Sequence, residues 1–273
     1  MKETEKTFLK KSRKIKNNPW SVVYACLVYI FLYMPIAVVI AFSFNTSRMN
    51  VVFEGFTFDW YISMWSNTLL MQAFKNTLIV AFVSTLLSTF LGTLCAVGLN
   101  RFEFKLKSLI STSLYIPIVI PELVFAIAML ILFTSVNISM NMATLIISHV
   151  TFSMPFVVIT VRSRMAGFDK SIEEAAHDLG ANELHTFTRV ILPMIAPGVL
   201  SGAMLALTLS LDDVVVSFFT AGPDSQTLPL RILSMVKKGV SPDVNALSTL
   251  IIIGSVLLLV STTLIQNKLE KEG

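Results

Sequence analysis

Five stretches of this chain contain no Asp, Glu, Lys or Arg: Trp20–Ser47, Asn76–Asn100, Leu123–Val161, Val190–Leu211 and Val244–Asn267. No other feature limits the fold so tightly. A helix needs about 20 apolar residues to cross the hydrocarbon core of a bilayer, and four of the stretches match one crossing each. The third is too long for one. The polar segment from Ser135 to Asn141 divides it, and its first half extends back to Ser108, which takes Glu122 into a span. The expectation is an all-α membrane protein with six transmembrane helices, over about 20–44, 76–99, 108–134, 142–161, 190–211 and 244–266. Tails over 1–19 and 268–273 flank them, a loop over 162–189 separates the fourth from the fifth, and Pro35 is expected to bend the first. No tandem repeat is evident, so one integral membrane domain is expected.

Composition agrees. Only 14% of residues are charged, against roughly 25% in soluble domains. A net charge of +4 would by itself suit a nucleic-acid partner, but the cations are placed asymmetrically. Most of the Lys and Arg fall in 1–19, 101–107, 162–189 and 268–273. Only Arg48, Lys75, Arg231, Lys237 and Lys238 fall in the alternate connections. That is the positive-inside bias, which puts both termini in the cytoplasm of a multi-pass protein of the bacterial plasma membrane and makes a nucleic-acid partner unnecessary. The first span is too long for a cleavable signal core and is expected to be retained. Cys26 and Cys95 both lie in apolar spans and read as small buried residues rather than a disulfide.

The loop at 162–189 is polar and built like a structured element. Ser171-Ile172-Glu173-Glu174 has the form of a capping box, followed by the helix formers Ala175, Ala176 and Leu179. Gly180 suits the left-handed position that ends a helix, and Asn182 suits the cap of the next. A short helix, a glycine turn and a second helix leading into the membrane are expected.

Within it, Glu174-Ala175-Ala176, then Gly180, then Val190-Ile191-Leu192-Pro193 resembles the EAA loop of binding-protein-dependent ABC importer permeases. The spacing matches throughout, with Val190 where that pattern has isoleucine. Leu209 to Ser217, with Asp212 and Asp213, and the segments Leu228–Ile232 and Val240–Ala246 resemble the permeases of spermidine/putrescine importers, the second of the paired subunits most. The resemblance covers nearly the whole chain after the basic tail. It implies the MetI-like permease fold, with the 171–189 loop as the cytoplasmic coupling helix through Glu174, Ala175, Ala176, Gly180, Leu192 and Pro193. It also implies partners in the bilayer and on either side of it: two ATP-binding subunits, a second homologous permease forming a heterodimer, and an extracytoplasmic polyamine-binding protein.

A pathway for extended polycations needs spaced carboxylates, and aromatic faces for cation–π contact. Intramembrane ionisable groups are costly and mark function by default. Glu122, directly after Pro121, and Asp212 and Asp213, at the end of the fifth span, are the candidates. Adjacent helical residues point apart, so one of the two aspartates is expected to face the pathway, Asp212 being favoured. Ser210 is a neutral hydrogen-bonding neighbour, and Trp60 an outer aromatic contact or an interface anchor.

His149, His177 and His185 have no metal-ligand spacing. The 11 glycines are too dispersed for a phosphate-binding loop, so no cofactor is expected and the chain is read as a transport subunit rather than an enzyme. Two alternatives are another small solute on the same apparatus and, in a different class, an ion-coupled transporter that uses the acids directly. The second leaves the capped loop without a task.

Overall fold

The computed structural model describes residues 19–48, 52–167, 170–236 and 241–272, with the backbone alone after Leu257. The basic segment before the first span thus lies outside the described residues, save Pro19, as do Lys237 and Lys238. The helices are α1 (Pro19–Phe42), α2 (Asp59–Ser66), α3 (Thr68–Arg101), α4 (Lys107–Ser113), α5 (Ile116–Val119), α6 (Glu122–Ser135) and α7 (Met142–Met165). They continue with α8 (Lys170–Asp178), α9 (Glu183–Thr186), α10 (Leu192–Leu211), α11 (Val215–Thr220), α12 (Leu228–Val236) and α13 (Pro242–Glu272). A five-residue π turn, Phe187–Ile191, joins α9 to α10.

Among the described residues, four helical runs are long and apolar enough to cross a membrane: α1, α3, α7 and the continuous run Glu183–Leu211. The third expected span is not one rod. Lys107–Val119 and Glu122–Ser135 meet at 112°. Two prolines cause this. Pro121 bars Ile120 from the helical region, and Ile120 adopts φ −71°, ψ 136°. Glu122 therefore opens a helix instead of lying inside one, where an acid meets the positive end of the macrodipole.

Other boundaries moved outward. α3 starts at Thr68 rather than near 76 because Asn67 caps it, accepting from the Leu70 amide. α7 runs on to Met165. The connections taken as outer loops hold the short helices α2, α11 and α12. The chain forms two compact units, one built from the segments around α1, α2 and α13 and the other spanning Asn67–Gly239.

In the first unit α1 and α2 each pack on α13. Between α1 and α2, Asn45 is fully buried and pairs with Phe56, while its amide donates to the Val52 carbonyl at 2.7 Å.

In the second unit, α3, α7 and α10 pack together around Ala96, Val97, Val157, Val158, Val161, Ile195 and Ala206. Without an aqueous driving force, helices in lipid associate where small residues allow close approach. A Cβ added at Gly92 of α3 would lie 2.8 Å from the Cβ of Val157 on α7, so only glycine permits this crossing.

Candidate functional site

Two polar sites are built on this three-helix core. The first lies where the 162–189 loop meets the end of α3. α8 starts one residue before Ser171, so that serine sits in the first turn and the cap itself falls in the residues not described. The far end is as expected. Gly180 adopts φ +84°, its amide donates to the His177 carbonyl at 2.8 Å, and the Ala181 amide donates to the Ala176 carbonyl at 3.0 Å. This is the six-to-one closure that ends a helix with a left-handed residue. Asn182 then caps α9, accepting from the His185 amide at 2.9 Å.

The second helix of the loop does not stop before the membrane. It passes through the π turn, closed by the Leu192 amide on the Phe187 carbonyl. Pro193, in the first turn of α10, has no amide to give and needs room for its ring against the preceding turn. The widened turn supplies it. Glu174, Ala175 and Pro193 are exposed, Ala176 and Leu192 half-buried. Leu179 is 90% exposed and Leu184 69%, an apolar crown on a charged loop.

Beneath the loop a cleft of about 390 Å³ opens among Arg101, Glu173, Glu174, His177 and Glu183. Arg101 is only 15% exposed, and its Nη2 donates both to Glu173 and to Glu183, the latter at 2.9 Å.

The second site is a buried polar junction where α3, α6, α7, α10 and α11 meet. Its hub is His149, 3% exposed. Nδ1 lies 2.7 Å from the Ser210 hydroxyl, and Nε2 lies 3.2 Å from the Ser217 hydroxyl and 3.3 Å from Oδ2 of Asp213. The Ser210 hydroxyl also meets that of Ser84 at 3.1 Å. Asp213, 7% exposed, accepts from the Val216 amide at 3.1 Å, from the Ser217 amide at 2.8 Å and from the Ser217 hydroxyl at 2.7 Å. A carboxylate only accepts, so the histidine nitrogen facing it carries hydrogen. Glu122 opens α6 nearby, close enough to Asp213 and Asp212 for their charges to act on it. Like charges held this close repel, and a cation between them would relieve that cost.

Asp213, not Asp212, is thus the buried member of the pair. It caps the start of α11, where a negative charge is favoured. Asp212 is exposed at the C-terminal cap of α10. Glu122, Asp212, Asp213 and Ser210 come together. Trp60 belongs to the first unit, where its indole donates to the Asn45 carbonyl at 2.6 Å. Among the described residues no three of His, Cys, Asp and Glu gather into a metal-binding group.

Residues 88–272 match the model of the family described as binding-protein-dependent transport system inner membrane component. The chain belongs to that family. It is 44% identical over 238 residues to the spermidine/putrescine transport system permease protein PotC of Escherichia coli K12, covering 87% of this chain and 90% of the relative. It is 37% identical over 245 residues to the putrescine transport system permease protein PotI of the same organism, covering 87% of each. Among solved structures, a bacterial ABC transporter that imports the acidic polysaccharide alginate superposes with a TM-score of 0.68 at 15% identity, over 93% of this chain and 98% of that one. The chain therefore has the fold of an ABC importer permease and is a multi-pass component of the inner membrane.

Two residues of this permease escaped sequence reasoning. His149 is an ionisable group inside an uncharged span, a signal applied to the acids and not to it. Arg101 gave none, since any span ends in cations.

Proposed function

We propose that this permease is one of two paired subunits forming the translocation pathway of an ATP-driven polyamine importer. An extracytoplasmic binding protein delivers the substrate, and two separate ATPase subunits dock on the 162–189 loop. The termini lie in the cytoplasm, as the distribution of Lys and Arg suggests. What supports the substrate class is the place of Glu122 at the break between α5 and α6, with Asp213 and Asp212 close enough for their charges to act on it. Irregular backbone at membrane depth is tolerated where it is buried in protein or lines a water-filled cavity. The break supplies such backbone beside a group of acids, which suits a substrate carrying several ammonium groups. The names of the relatives agree with this.

In this reading Asp212 and Glu122 exchange with the substrate, while Ser210 stays engaged with His149 and Ser84. Asp213, held by Ser217 and His149, sets the local field. The exposed Glu174-Ala175-Ala176 surface and the Leu179 and Leu184 crown meet the ATPase, and closure of that partner rocks the helices.

The test is uptake of labelled spermidine and putrescine by the reconstituted complex. Glu122→Gln and Asp212→Asn should each slow uptake about tenfold, the worth of one charge-assisted contact, while the subunits still co-purify. Unchanged uptake kinetics in both variants would remove the pathway assignment.

A further inference from the structure

The 162–189 loop is continuous with two of the three core helices. It leaves the end of α7 and re-enters through α9 and the π turn into α10. α3, the third member, has no covalent link to it. Arg101, the last residue of α3, makes the missing connection. One terminal nitrogen, Nη2, holds Glu173 on α8 and Glu183 on α9 together, from a position largely withdrawn from solvent. Its charge also suits the negative end of the α3 macrodipole. The two carboxylates lie on either side of the glycine turn, so the arginine spans that turn and fastens both of its arms. The stem is steadied by the neighbouring ring, with the guanidinium carbon 5.9 Å from the centre of Phe102.

From this geometry we infer that Arg101 is a positioning residue for energy coupling. It makes α8, α9 and α3 move as one body, so that a displacement of the loop reaches α3 along with α7 and α10. The inference rests on the reading of the loop as an ATPase dock. α3 is the helix that brings Ser84 to the buried junction, where it meets Ser210, and its glycine crossing with α7 leaves little slack. Without the arginine the loop still folds on its own capping bonds and still offers its exposed face. It then pushes on two helices instead of three.

The experiment uses the complete complex in proteoliposomes, with uptake and ATP hydrolysis measured on the same preparation. In Arg101→Gln, hydrolysis should persist while substrate moved per ATP falls about tenfold, within the usual range of a coupling energy. Arg101→Lys should retain most of the coupling, because both acids converge on a single nitrogen and an ammonium offers three donors. The exchange Arg101→Glu with Glu173→Arg should recover uptake per ATP relative to Arg101→Glu alone.

Wild-type stoichiometry in Arg101→Gln would overturn the inference. So would failure of both the lysine variant and the charge exchange to restore coupling, which also decides the case if the glutamine variant does not assemble. If the unaltered chain recruits no ATPase, the functional reading fails instead, and that is seen before any variant is made.

Discussion

The two polar ties of the core do the same mechanical work in opposite environments. At the loop, Arg101 joins acids that are partly open to water, next to a cleft. At the junction, His149 joins hydroxyls and a carboxylate nearly closed off from solvent, and every partner is spoken for. An ion pair reachable by water gains little net stability but fixes geometry. A buried network rigidifies when complete and is costly when any member is lost. The difference shows where this fold tolerates movement. The loop tie can be loosened and remade with the fold intact, whereas the junction holds its helix ends in one arrangement.

The contrast can be broken most forcefully at Asp213. Asp213→Ala strands the Val216 and Ser217 amides, leaves Nε2 of His149 with the Ser217 hydroxyl alone, and should cost about 3 kcal/mol, seen as a lower aggregation temperature in detergent. By comparison, Arg101→Gln should leave that temperature nearly unchanged. Next comes Gly92→Leu, which drives a side chain into Val157 and should cost about 2 kcal/mol, with partial recovery on adding Val157→Ala. The smallest effect is expected at Gly180→Ala, where the left-handed backbone penalises a Cβ by about 1 kcal/mol. It should appear as faster proteolysis between α8 and α9 with little change in thermal stability.

Much of this was legible in the chain. The uncharged runs located the long helices, and Gly180 and Asn182 announced the turn in the loop by the backbone each favours. The break at Ile120 was less so, because prolines inside apolar runs bend some helices and break others. Here two of them, Pro117 and Pro121, act within one short stretch. α3 outran its uncharged stretch because Lys75 near a helix end reads as a boundary, although the cap at Asn67 is local, and because the bonds from Asn76 to the carbonyls of Asp224 and Gln226 depend on chain 148 and 150 residues away. For the same reason the burial of Asp213 beside the exposed Asp212 could not be read. Alternation along a helix says that neighbours diverge, not that the helix ends between them and a new one starts on the second.

The π turn at Phe187–Ile191 adds one unit to the winding between the loop and α10. The wider turn absorbs that residue, so deleting it would restore regular winding with α9 near its present phase and take from Pro193 the room its ring uses. The surplus residue is thus a fitted spacer, and its loss would tighten the joint between the lever and the rod it drives while leaving each part whole.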